Sequence, residues 1–288
     1  MYNAPMLRSP THQNTARRAS GVAISAHTHP GLAISYLQAG EQGPVVVMLH
    51  GWGAFKELWW STLLALGHDH RCFALDIPGH GQSPIGRATS IAGLAEAVAA
   101  FCDQLGLEQI SLIGHSMGGS VACELTLQRP DLIDRLVLVA PAIAPAMMPS
   151  FSRTYLLPSY GWAIFRLMLL GARIASPIGR RVPHEHGGGW LRPWLRRGSY
   201  LAGFEPEPLH RLYRSLFATQ AGDRLGQITR PTLVISGQLD SLVPPSHSRR
   251  LAARIPNARY VEIPGALHNP MDERPQAFER ALREFLEP

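Results

Sequence analysis

The strongest chemical signal in this sequence is the run Gly114-His115-Ser116-Met117-Gly118-Gly119. It follows the apolar stretch Ile110 to Ile113 directly and opens a helical pattern over Met117 to Gln128, so Ser116 occupies a strand-to-helix turn. Glycine two places before and two places after the serine leaves the backbone room to fold back, which lifts the hydroxyl clear of both elements. The helix that follows points its N-terminus at the same spot, where developing negative charge is favoured. A serine at its ordinary pKa is a poor nucleophile, so it needs a base within reach and a third group that orients the base.

The chain has 13 histidines, and position reduces them to one. The base should lie after the nucleophile, in a loop at the C-terminal end of a strand, with an acid placed the same way between them. His268 follows the apolar run Arg259 to Ile263 through Pro264-Gly265-Ala266-Leu267, and Asp240 follows Thr232 to Ile235 through Gly237-Gln238-Leu239. His247 starts a helical pattern and follows no strand end. Asp76 precedes the nucleophile and so falls outside that order. A tetrahedral oxyanion also needs donors. Met117, directly after the serine, offers one backbone N–H, and Trp52 in the loop His50-Gly51-Trp52-Gly53 offers another, leaving the indole to line a pocket. His50 is read as holding that loop by hydrogen bonding. Such acyl-transfer chemistry calls for no metal and no organic cofactor.

The elements that must position these groups are legible as buried runs. Val45 to Leu49, Cys72 to Leu75, Ile110 to Ile113, Leu136 to Val139 and Thr232 to Ile235 are each continuously apolar and bounded by Gly, Pro or Asp, which suits strands buried on both faces. Helical segments lie among them: Ile91 to Leu105, with its stripe Leu94, Val98, Phe101 and Leu105, then Met117 to Gln128, Ser246 to Arg254 and Pro275 to Leu286. The alternation predicts an α/β fold, a mostly parallel sheet flanked by helices. Val22 to Ala26 and Leu32 to Leu37 read as two short strands pairing antiparallel at its edge. Residues 142–229 break the pattern and read as an inserted helical cap, because an unstructured loop of that length is implausible in a compact domain. The domain plan is then a mobile tail over 1–20, a core over 21–141 and 230–288, and the cap between.

Composition excludes several classes. An apolar fraction of 45% and a charged fraction of 17% are those of a globular protein, neither disordered nor fibrous. The net charge of +6 invites a nucleic-acid reading, but the arginines are scattered, with no run longer than two and no aromatic-interleaved basic motif. Eleven of them fall in residues 150–225 against Glu185, Glu205, Glu207 and Asp223, so the excess belongs to the cap. Its apolar run Trp162 to Leu170 is too short, and too interrupted by Arg166, to span a bilayer. The three cysteines, Cys72, Cys102 and Cys123, show no metal or CxxC spacing and read as buried thiols of a reducing compartment. Residues 1–20 lack the apolar stretch of a secretory signal, so the cytoplasm is the expected location. The expected partner is a small-molecule substrate, with neither nucleic acid nor stable membrane insertion, on a monomer or homodimer.

Together, His50-Gly51-Trp52-Gly53, Asp76-Ile77-Pro78-Gly79-His80-Gly81-Gln82-Ser83, Gly114-His115-Ser116-Met117-Gly118-Gly119, Asp240 and His268 resemble the α/β-hydrolase superfamily, in the right order and across residues 45–288. The resemblance implies an α/β-hydrolase fold, a carboxylesterase-like serine hydrolase with an inserted cap, and a structural role for the Asp76 to Ser83 loop. A serine at the turn differs from the aspartate of epoxide hydrolases and haloalkane dehalogenases. The loop His50-Gly51-Trp52-Gly53-Ala54-Phe55 departs from the Gly-rich loop of meta-cleavage C–C hydrolases. C–C hydrolysis, thioester or lactone hydrolysis, and a non-catalytic ligand receptor on the same fold stand as alternatives to ester hydrolysis. The cap is apolar with aromatic punctuation, and Phe151, Tyr155, Trp162, Phe165, Met168, Trp190 and Trp194 either line a hydrophobic pocket or pack the cap onto the core.

Overall fold

A computed structural model describes residues 21–86, 88–143, 154, 156–157, 160–179 and 204–287. The tail expected over 1–20 lies outside them. Eight strands form one sheet: β1 (Ile24–Thr28), β2 (Ser35–Ala39), β3 (Val45–Leu49), β4 (Arg71–Leu75), β5 (Ile110–His115), β6 (Ile133–Val139), β7 (Thr232–Gly237) and β8 (Ala258–Ile263). Their spatial order is β1-β2-β4-β3-β5-β6-β7-β8. Pairing is antiparallel for β1 with β2 and β2 with β4, and parallel across every later neighbour.

The apolar runs named above are these central strands, and alternation explains why they are continuous. Val47 and Leu49 enter one core cluster with Leu112, Leu136 and Val234, while Val46 and Met48 enter a second with Ile113, Val137 and Ile235. Helices α2 (Ile91–Gln104) and α3 (Met117–Gln128) cover the first face through Leu94, Val98, Phe101 and Val121. Helices α1 (Trp60–Leu66) and α8 (Pro275–Leu286) cover the second through Leu63, Leu66, Phe278 and Leu282. Strands β1 and β2 begin and end two or three residues later than their apolar letters suggest. Four of the five β1 residues are exposed, so burial does not mark its ends; pairing of Ile24 with Ala39 and Thr28 with Ser35 sets them instead.

The chain steps from β3 outward to β4 on one side, and later places β5 on the other side of β3. Such a reversal opens a crevice beyond the carboxyl ends of the two strands, because their following loops turn away from one another. The loop after β3 and the turn after β5 border that crevice.

Between β6 and β7 the described residues contain α4 (Gly161–Gly179), α5 (Pro206–Ala218) and a 3-10 turn, Ala221–Gln227. Leu209, Leu212, Tyr213 and Leu216 recur at helical spacing on α5 and are buried. No described helix is long and apolar enough to cross a membrane. All three cysteines are free and buried, and burial pushes the thiols of Cys72 and Cys102 up to about 12, so they stay protonated and inert.

Candidate active site

Ser116 sits between β5 and α3 at φ 52 and ψ −116, a conformation that side chains rarely adopt. The turn is held from both sides: Ser116 N–H donates to Val139 O at 2.9 Å, and Ser116 O accepts from Gly119 N at 3.0 Å and Ala142 N at 3.0 Å. Gly114 permits the fold-back, since a Cβ there would lie 2.3 Å from Gly118 O. Ser116 is the one residue from Ile110 to Cys123 that is not buried. Ser116 is thus the one partly exposed position in an otherwise buried stretch.

The loop after β3 lies directly against this turn. A Cβ on Gly51 would stand 2.9 Å from Ser116 Cβ, so only glycine brings the loop so close. His50 anchors the loop, as expected. Ile77 N–H donates to His50 Nε2 at 3.0 Å, which leaves the ring proton on Nδ1 to donate to Gly51 O at 2.8 Å. Asp76 is wholly buried and accepts from Lys56 N at 2.8 Å, Lys56 Nζ at 2.6 Å and Gln82 N at 2.9 Å. It fixes the loops after β3 and β4 to each other, and its hydrogen bonds among the described residues are to Lys56 and Gln82. Met117 opens α3, where first-turn amides have no carbonyl within the helix to bond; Trp52 is in the neighbouring loop.

Asp240 and His268 meet across the loops after β7 and β8. His268 Nδ1 bonds Asp240 Oδ2 at 2.8 Å, with side chains 6% and 0% exposed. The other carboxylate oxygen of Asp240 accepts from Leu242 N and Val243 N, both at 2.9 Å. The two loops approach only because residue 237 is glycine: a Cβ there would lie 1.9 Å from Leu267 O. His247, at the start of α6 (Pro245–Ala252), is buried, which pushes its imidazole down, and it makes no hydrogen bond with Asp240. His80 is likewise excluded as a base, since burial and then the neighbouring His50 push it down to about 3.

Two groups that position His268 are not evident from local sequence patterns. His115 Nε2 donates to His268 O at 2.9 Å, and the two rings lie 4.8 Å apart, which sets His268 beside the chain neighbour of Ser116. Glu273, on the short helix α7 (Pro270–Glu273), accepts from Leu267 N at 2.5 Å and Asn269 N at 3.3 Å. The first contact spans 153 residues and leaves no local pattern. The second is local, and an acid in the first turn of a helix that follows His268 is its only trace. Among the described residues, no group of His, Cys, Asp and Glu could hold a metal ion.

The side chain of Trp52 is tied to the segment between β6 and β7: its indole N–H donates to Leu209 O on α5 at 2.9 Å, and its half-buried ring packs on Phe165 at 5.8 Å and Tyr213 at 5.1 Å. Phe165 is fully buried with Leu169, Phe204 and Leu209, so it packs α4 and α5 together. Trp162, stacked 6.0 Å from Phe165, is 38% exposed, and Met168 is half-buried. Phe151, Tyr155, Trp190 and Trp194 lie outside the described residues. Replacing Trp52 by Phe keeps the ring contacts but deletes the donor, and is expected to lower the unfolding free energy by about 1 kcal/mol in a denaturant titration. An unchanged midpoint and slope would show that this bond contributes nothing.

A mostly parallel sheet with a strained, partly exposed serine after its central strand, and an Asp–His pair on the loops after later strands, defines an α/β hydrolase. The family described as the alpha/beta hydrolase fold matches residues 44–275, and the chain belongs to it. The chain is 32% identical over 260 residues to a pimeloyl-acyl-carrier-protein methyl ester esterase of Aeromonas hydrophila subsp. hydrophila, a match that covers 85% of this chain and 96% of that protein. A hydrolase from Pseudomonas aeruginosa superposes with a TM-score of 0.72 at 27% identity, covering 96% of this chain and all of that one (100%). A thermophilic esterase from Thermogutta terrifontis gives a TM-score of 0.69 at 25% identity over 91% of this chain and 96% of that one. The chain is therefore an enzyme, an esterase-like hydrolase of this family.

Proposed function

We propose that the enzyme cleaves a carboxylic ester of a hydrophobic small molecule through an acyl-enzyme on Ser116. His268 takes the serine proton as the hydroxyl attacks the carbonyl carbon, and Asp240 stabilises the imidazolium. The backbone amides of Trp52 and Met117 receive the oxyanion. The C–O bond then breaks, the departing alkoxide takes the proton from His268 and leaves as the alcohol, and water deprotonated by His268 releases the acid and restores Ser116.

The observation that carries this reading is the 2.8 Å bond between His268 Nδ1 and Asp240 Oδ2. With its Nδ1 proton donated to a buried carboxylate, the ring keeps the lone pair on Nε2 as its basic site. The strained turn at Ser116 supports the same chemistry. The reading of 142–229 as a cap is supported by the cluster of Phe165, Leu169, Phe204 and Leu209 with Trp52 against it. An apolar wall beside an oxyanion loop suits a hydrophobic acyl or aryl group. The Aeromonas relative is named for a methyl ester and the Thermogutta structure for an esterase, which supports ester over C–C hydrolysis. Three buried free thiols support a reducing, cytoplasmic location.

The test is labelling with a fluorophosphonate probe, followed by a panel of esters graded by acyl length together with lactones and thioesters. Stoichiometric labelling at Ser116 and the highest kcat/KM on apolar esters are expected. No labelling would replace the enzyme mechanism by a ligand-binding role, and turnover confined to lactones or thioesters would overturn the ester preference.

A further inference from the structure

A base at the tip of a loop is only as well aimed as its backbone. His268 has its ring fixed by Asp240, but its main chain lies in the loop after β8, where no strand pairing holds it. Two of the bonds that do hold it come from one buried side chain. Glu273 is 8% exposed, and its two carboxylate oxygens are divided between the amides on either side of His268: Oε2 accepts from Leu267 N at 2.5 Å and Oε1 from Asn269 N at 3.3 Å. The carboxylate hangs from α7, which closes directly behind the base through Asp272 N to Asn269 O at 3.0 Å and Glu273 N to Asn269 O at 2.9 Å. His115 bonds the carbonyl between those two amides. Three consecutive backbone positions around the base are thereby pinned by side chains from two elements.

We propose that Glu273 is a positioning residue for the reaction: it fixes the backbone of His268, and its negative charge supports the imidazolium through space. This rests on the reading of His268 as the base. The charged groups around Glu273 fit the assignment. Burial pushes the Glu273 carboxyl up, the amides of Leu267 and Asn269 and then His268 favour its charged form, and Asp240 opposes it; Arg274 donates to its main-chain carbonyl at 3.1 Å, and the turn Lys56–Trp59, carrying Lys56 and Glu57, packs against α7. Lys56 is committed to Asp76 at 2.6 Å, so Glu273 has no cation bonded to its carboxylate among these neighbours. His268 in turn faces Asp240 from the loop after β7, His115 from the end of β5 and Glu273 from α7. A buried carboxylate that bonds only amides, beside an ionisable imidazole, acts on that imidazole.

Two substitutions separate reach from charge. Glu273→Gln keeps the length but removes the charge and sets an N–H2 against one of the two amides. Glu273→Asp keeps the charge but is too short to span both amides. Each is assayed on a p-nitrophenyl ester, with active sites counted by fluorophosphonate titration and folding checked by thermal melting. Both variants are expected to lose about tenfold to a hundredfold in kcat per titrated site with KM little changed, because the cost falls on the aim of the base. The acid limb of the kcat/KM profile should move to lower pH in Glu273→Gln and stay in place in Glu273→Asp, since only the first removes the charge that favours the imidazolium. A Glu273→Gln enzyme with wild-type kcat and profile would overturn the assignment, as would a loss confined to the number of titrated sites, which marks a purely structural role. If Ser116→Ala or His268→Ala retained wild-type turnover, the underlying reading would fail instead, and the two failures are distinct.

Discussion

Replacing Ser116 by alanine is expected to lower kcat by a factor on the order of 10⁶, the scale on which loss of a serine nucleophile is felt when its base has nothing left to activate. KM for an apolar ester should change little, because the pocket walls and the amides of Trp52 and Met117 remain. Stability should also hold: alanine keeps the Cβ that makes φ 52 and ψ −116 costly, so the strain at residue 116 is unrelieved. Glycine at the same place removes both the hydroxyl and the strain. Ser116→Gly should therefore be as inactive as Ser116→Ala and yet more stable, by about 1–3 kcal/mol, the cost of holding a non-glycine residue in a sparsely populated region. Turnover on a p-nitrophenyl ester and equilibrium unfolding of the three proteins measure both effects. Wild-type turnover in Ser116→Ala would end the acyl-enzyme reading, whereas equal stability of the glycine and alanine variants would show that residue 116 is held without strain.

What could be read in the sequence was whatever local pattern dictates. A strand buried on both faces is apolar at every position, so β3, β5 and β7 announce themselves, and the glycines around Ser116 are required by the turn itself. Asp240 and His268 were found jointly, because each follows a strand end and the parallel pairing of β7 with β8 brings those ends together. Helix α1 was missed because its stripe, Trp59, Leu63 and Leu66, follows a glycine-rich loop and runs only seven residues beyond a 3-10 turn. Helix α5 was missed inside a segment judged by its lack of strands, although Leu209, Leu212, Tyr213 and Leu216 form a stripe of their own. Contacts between distant side chains left no trace at all. The indole of Trp52 is 157 residues from the carbonyl it bonds, and only the folded arrangement of α5 over the loop after β3 reveals the pair.

Asp240→Asn is expected to cost about 10⁴ in kcat at neutral pH, through the tautomer of His268 rather than through distance. The native carboxylate needs no donor: one oxygen accepts from the amides of Leu242 and Val243, the other from His268 Nδ1. Asparagine has one oxygen and one N–H2 to set in the same two places. If the oxygen stays on the two amides, the N–H2 faces His268 Nδ1, which must then accept, and the ring proton moves to Nε2. The nitrogen that should take the serine proton then already carries one. If the amide group turns over, its N–H2 meets two backbone donors, an arrangement that leaves buried groups unsatisfied and is disfavoured. Asp240→Ala lacks this wrong donor. It should therefore be less impaired than asparagine per folded molecule, although it loses the two loop bonds and with them some stability. Single-turnover acylation rates, normalised to active sites, separate the cases. An asparagine variant more active than the alanine one would mean that Asp240 serves mainly to hold its loop, and that the orientation of His268 rests on His115 and Glu273 alone.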